Sequence, residues 1–161
     1  MQLLEITTGG QSGVDTAAMD FAIHNNLPYR GYCPKGRLNE NGTIPDHYKL
    51  TETETSDYQE RTWMNVNISN GTLVLYNDLI TGGTDYTFNY CKEICKPVLL
   101  QSLLNTSVDH WAKIDSWIQI NHIMKMNVAG PRESEGNIYL KTLRFLNSWY
   151  SYHLHNTGKS S

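Results

Sequence analysis

Two glycine-rich turns carry residue types suited to holding an anion. Thr8-Gly9-Gly10-Gln11-Ser12-Gly13-Val14-Asp15 stands near the start, and Leu79-Ile80-Thr81-Gly82-Gly83-Thr84-Asp85 in the middle. Each follows an apolar run and opens a helix-like pattern. Glycine lets backbone N–H groups come close to a ligand, and a helix start adds unpaired donors and the positive end of its dipole. Two such turns in one small domain predict an anionic ligand, a phosphorylated one above all, held between them. The candidate contacts are Gly9, Gly10, Gln11, Ser12 and Gly13 in the first turn and Thr81, Gly82, Gly83 and Thr84 in the second.

Two further loops bring cations. Cys33-Pro34-Lys35-Gly36-Arg37 offers Lys35, with a solvated loop as the alternative. Asn127-Val128-Ala129-Gly130-Pro131-Arg132-Glu133-Ser134 offers Gly130, Arg132 and Ser134; Arg132 can reach a phosphate or clamp Glu133 or Asp85, and Ser134 can cap a helix. Asp15 and Asp85 each lie one turn inside a helix start. There they complement the dipole, or else hold a cation or do acid/base work. Arg61 is expected on a helix surface.

Several familiar motifs are excluded. The first turn is not G-x-G-x-x-G, and no Gly-Lys-Ser/Thr follows it. Ser12 has Gly10 two residues before it but Val14 two after it, so it is no nucleophile elbow. Cys91 and Cys95, four apart on an expected helix, read as half a metal site or as two small buried side chains; no tightly bound metal is predicted, because no Cys or His pair supplies the other half. His153 and His155 are expected in solvent.

The elements that position these residues alternate along the chain. Strands are expected over 2–8, 29–33, 71–76, 96–100 and 123–129. Helical spacing marks 13–25, 57–67 with Ser56 as N-cap, a face of Thr87, Tyr90, Cys91 and Ile94, then 108–120 and a last helix through Tyr139, Leu146 and Tyr150. Residues 34–48 read as a polar loop. This order predicts an α/β fold, a mostly parallel sheet with helices on both faces. Ligands of such sheets bind at the carboxyl ends of the strands, where the loops 9–13, 34–37, 78–84 and 130–134 are expected.

With 161 residues, 39% hydrophobic and 18% charged, the chain suits one domain over 1–155 with a disordered tail over 156–161. No stretch is apolar enough to span a membrane. A net charge of −3 without a basic stripe excludes a general nucleic-acid binder. Three cysteines and a start without a signal-peptide pattern lead to the expectation of a cytoplasmic protein. Four tryptophans and ten tyrosines serve either the core or a helix-mediated dimer surface.

Taken in order, G-G-Q-S-G-V-D, C-P-K-G-R, E-R-T-W-x-N-V (Glu60 to Val66), G-T-L-V-L, L-x-T-G-G-T, K-P and N-V-A-G-P-R-E-S resemble one family over roughly residues 3–150. It is the molybdenum carrier family, within the LOG/lysine-decarboxylase-like (SLOG) Rossmann-type superfamily. The resemblance implies a Rossmann-like three-layer sandwich, a homo-oligomer (dimer or tetramer), and a binding or carrier protein for a phosphorylated small molecule, above all the molybdenum cofactor, a pterin with a terminal phosphate. Lys35 and Arg132 would neutralise the phosphate, and Gln11 and Tyr86 would contact the heterocycle. The wider superfamily implies the alternatives of a nucleoside 5'-monophosphate phosphoribohydrolase or a nucleotide-sensing domain. The hydrolase branch carries P-G-G-x-G-T-x-E-E, whereas this chain has T-G-G-T-D-Y-T. An enzyme would therefore have to use Asp85 or Glu133 in place of the missing glutamates.

Overall fold

The computed structural model describes residues 4–158. Five parallel strands form the main sheet: β1 (Glu5–Thr7), β2 (Tyr29–Arg30), β7 (Gly71–Tyr76), β8 (Val98–Ser102) and β9 (Lys125–Ala129). Between β2 and β7 lie the short strands β3 (Tyr32–Cys33), β4 (Leu38–Asn39), β5 (Gly42–Thr43) and β6 (Thr51–Glu52). They form a parallel β3–β6 pair and an antiparallel β4–β5 hairpin. The helices are α1 (Val14–His24), α2 (Tyr58–Ile68), α3 (Gly82–Glu93), α4 (Val108–Ile120) and α5 (Ile138–Thr157).

The main sheet runs β2-β1-β9-β7-β8. Numbered by chain order, that is 2-1-5-3-4. It is the doubly wound order 3-2-1-4-5 with its first strand moved to the end of the chain. Helices α1, α4 and α5 pack together on one face, and α2 packs on α3 on the other. The loops after β9 and β7 leave neighbouring strands for opposite faces, so a crevice opens between them at the carboxyl edge.

The two faces differ in chemistry. Ile6 sits opposite Met126, and Leu73 opposite Val128. This apolar face, with Phe21, Ile114, Leu146 and Trp149, makes the main core. The opposite face carries the row Thr7, Asn127, Thr72 in register, all buried, and Asn127 Nδ2 donates to Thr72 Oγ1 at 3.3 Å. A sheet buried on both faces is ordinarily apolar on both. A buried polar row instead leads from the sheet toward the crevice.

The α/β fold and its five main strands match expectation. The strand expected over 29–33 breaks at Gly31, where a Cβ would stand 1.8 Å from the Thr8 carbonyl oxygen. The chain leaves the main sheet there, and the expected loop 34–48 contains the β4–β5 hairpin. Asp57, not Ser56, caps α2, its Oδ1 accepting the Gln59 N–H at 2.9 Å. Helix α5 runs to Thr157, two residues into the expected tail, and 159–161 lie outside the described residues. Trp149 and Tyr150 are buried, and Trp111 and Trp117 pack against the same core. His153 is half-buried, its Nδ1 3.1 Å from Asp115 Oδ1, rather than free in solvent.

Candidate functional site

The crevice opens into a cavity of about 380 Å³ between the start of α3, the α2 residues Tyr58 to Thr62 and the Ala129–Arg132 loop. Gly82 and Gly83 are the first two residues of α3, and Thr81 provides no side-chain cap. Their backbone N–H groups have no hydrogen-bond partner among the described residues. The space where their side chains would stand is empty to 4 Å, and Gly82 has φ +54°. The start of α3 is thus an open donor site facing the cavity.

Opposite it lies a buried ion pair. Asp15, 4% exposed in the first turn of α1, takes Arg61 Nη1 on its Oδ2 at 3.1 Å. The same oxygen accepts the Gln11 N–H at 3.0 Å. Burial pushes the Asp15 carboxyl above the usual carboxylate range, against the pull of the Arg61 guanidinium and the hydrogen bonds from Gln11 and Thr8. Gly9 makes the pair possible: a Cβ there would stand 1.8 Å from Arg61 Nη1. Beneath the guanidinium, a chamber of about 10 Å³ reaches Asn65, Thr87 and Asn127, which is room for about one water.

The remaining walls mix aromatic rings with hydrogen-bonding groups. Tyr58 and Tyr86 line the cavity, and the Tyr86 hydroxyl accepts the Trp63 Nε1–H. Arg132 is exposed there and makes no ion pair among the described residues, so neither Glu133 nor Asp85 clamps it. A second hollow of about 330 Å³, between Asn77–Thr81 and Pro131–Ile138, shares Pro131 and Glu135 with the first.

The expected site residues divide into three groups. Gln11, Gly82, Gly83, Thr84, Gly130 and Arg132 line the cavity, Thr81 lines the neighbouring hollow, and Gly9 lines the chamber. Several groups of the first turn are taken by the protein itself. Ser12 N–H donates to Gln11 Oε1, Val14 N–H to the Pro131 carbonyl, and the Ser12 hydroxyl to Glu40. Gly10 and Gly13 are close-packing glycines, the latter with φ +75° and a would-be Cβ 2.5 Å from the Pro131 oxygen. Ser134 caps nothing; its N–H and hydroxyl both donate to Glu40. The first turn therefore ties α1 to two neighbouring loops; its Gln11, Ser12 and Val14 N–H groups are taken, and those of Gly9, Gly10 and Gly13 have no hydrogen-bond partner among the described residues.

Lys35 stands apart, exposed beyond β3, because the break at Gly31 carries its loop away from the main sheet edge. The two acids considered for hydrolysis are also outside the cavity. Asp85 is exposed, and Glu133 Oε2 accepts the Tyr139 N–H at 2.6 Å at the start of α5. Asp15 and Glu135 are the carboxylates that line it. Cys91 is buried in α3, whereas Cys95 lies beyond the helix end with φ +57° and is exposed, so the two do not form half a site. Among the described residues no group of His, Cys, Asp and Glu could hold a metal ion. No described helix is long and apolar enough to cross a membrane.

The sequence profile of the circularly permutated YpsA SLOG family matches residues 6–150. The chain belongs to that family. The permuted strand order of the sheet agrees with the family's description. This SLOG domain is also similar to a crystal structure from Syntrophus aciditrophicus SB described as a candidate molybdenum carrier protein, with 41% sequence identity, a TM-score of 0.88, and 92% of this chain and 95% of that one covered. No curated protein matches significantly. Sequence reasoning on this SLOG domain missed Arg61, Tyr58, Gln59, Thr62 and Thr87 as cavity residues. The signal for Arg61 was its place in E-R-T-W-x-N-V, one turn into α2.

Proposed function

We propose that this SLOG domain binds and carries a phosphorylated small molecule in the crevice between the β7–α3 and β9–α5 loops, with the molybdenum cofactor as its cargo. The observation that carries this reading is the convergence on one cavity of the free Gly82 and Gly83 N–H groups, Arg61 and Arg132. Backbone donors at a helix start and two guanidinium groups suit a phosphate. Tyr58 and Tyr86 suit a flat heterocycle. A volume of about 380 Å³ falls at the small end of ligand pockets, in keeping with one ring system and one phosphate. The relative described as a molybdenum carrier supports the choice of cargo. Carrying requires no general base, and Asp15, the buried carboxylate of the site, is committed to Arg61.

A thermal-shift screen of the purified protein against the cofactor, AMP, ADP-ribose and molybdate tests the reading, with the AMP sample assayed for released adenine. At a hundred times its dissociation constant a ligand adds roughly 2.7 kcal/mol, a Tm rise of about 5–10 °C at this size. Stabilisation by the cofactor without adenine release supports carriage. Stabilisation by AMP with adenine release replaces it with hydrolysis.

A further inference from the structure

Gln11 precedes α1 at the wall of the cavity and is 5% exposed. Its side-chain carbonyl accepts two backbone N–H groups, from Ser12 at 3.0 Å and from Glu40 at 2.9 Å. An amide oxygen has two lone pairs, so its capacity is filled. A flipped amide would set the Nε2 hydrogens against those same two N–H donors, which fixes the orientation. Nε2 is thereby buried with no partner among the described residues, and Nε of Arg61, on the same cavity, is also buried and unpartnered. Buried donors are almost always satisfied. Two unsatisfied ones beside one cavity await an acceptor from outside the chain.

We propose that Gln11 is a specificity-determining residue whose amide, locked by the Ser12 and Glu40 N–H groups, presents only donor hydrogens and selects the oxyanion end of the ligand. The proposal rests on the carrier reading and names the side chain that reads the anion within it. An oxyanion carries charged acceptors on every side, so it can satisfy Gln11 Nε2 and Arg61 Nε together. A ring edge bearing N–H would set donor against donor. Glu40 stands at the turn of the β4–β5 hairpin, so the hairpin holds the selecting group in place.

The test compares wild-type protein with Gln11→Glu and Gln11→Met by calorimetric titration with inorganic phosphate and with the molybdenum cofactor, and by thermal unfolding. Gln11→Glu keeps an oxygen for the Ser12 and Glu40 N–H groups but removes the donors. It is expected to retain its Tm while phosphate affinity falls about tenfold or more. Gln11→Met removes the donors without adding charge and weakens phosphate as well. Phosphate affinity unchanged in either variant overturns the assignment and leaves the carrier reading standing. So does a wild-type protein that takes the cofactor but not phosphate. A wild-type protein that takes neither overturns both.

Discussion

Gly9→Ala is a perturbation whose effect is calculable from the geometry. The backbone at Gly9 is not in the left-handed region, so alanine meets no conformational penalty there. Its Cβ would stand 1.8 Å from Arg61 Nη1, the end of a flexible side chain that can move aside. What is lost is the ion pair to Asp15 at 3.1 Å. Removing one partner of a fully buried pair costs about 3–5 kcal/mol. Here the Arg61 side chain is 17% exposed, and Asp15 keeps the Gln11 N–H. Its burial-raised pKa also lets it take up a proton. The cost is therefore about 2 kcal/mol, a Tm fall of roughly 4–8 °C. Urea unfolding of Gly9→Ala, Arg61→Met and the double variant forms a cycle. If the cost passes through Arg61, Gly9→Ala costs less than about 0.5 kcal/mol in the Arg61→Met background. An equal cost in both backgrounds refutes the reasoning.

Three other perturbations have defined outcomes. Gly13→Ala forces a φ of +75° on alanine and drives its Cβ to 2.5 Å from a backbone oxygen, so it is expected to cost about 3 kcal/mol by thermal unfolding, well above Gly83→Ala, which meets open space. Burial and the Asp20 carboxylate raise the phenols of Tyr48 and Tyr139, the latter to about 12. Folded values above unfolded ones mean that this stability is fully present below pH ~10 and lost as pH rises toward 12. Urea unfolding at pH 9, 10 and 11 checks this, and Asp20→Asn flattens the trend. Glu40 is desolvated, which raises its pKa, yet the Ser12 and Ser134 hydrogen bonds hold it below the ordinary value. Its contribution is present above that ordinary value and lost as pH falls through the folded one. The protection of the amides in residues 38–43, measured against the unstructured exchange rate at each pH, should therefore fall in acid, and Glu40→Gln should show that lower protection already at neutral pH.

Local pattern revealed the elements, and long-range contact decided the site. Helix α4 spans 108–120 as its apolar spacing predicts, and β7 matches its continuous apolar run. The glycine turn before α3 read correctly as an open helix start. The turn before α1 has the same composition, but its Gln11, Ser12 and Val14 N–H groups are taken by Asp15, Gln11 and Pro131, partners that composition does not reveal. Arg61 looked like a surface residue because its partner lies 46 positions away in α1. Lys35 was misplaced because the break at Gly31 depends on the Thr8 carbonyl across the sheet. Periodicity identifies β9 as a strand but does not reveal that the last strand inserts at the sheet's centre, which is what brings Arg132 beside α3.

Arg132 offers the most direct test of the central claim, because it is exposed at the cavity and no described ion pair depends on it. The measurement is an anaerobic calorimetric titration of wild-type and Arg132→Ala protein with the molybdenum cofactor. The account predicts saturable binding at one site per chain in the wild type, weakened about tenfold or more by Arg132→Ala at an unchanged Tm. Equal affinity in the two proteins, or no saturable binding in the wild type, contradicts it.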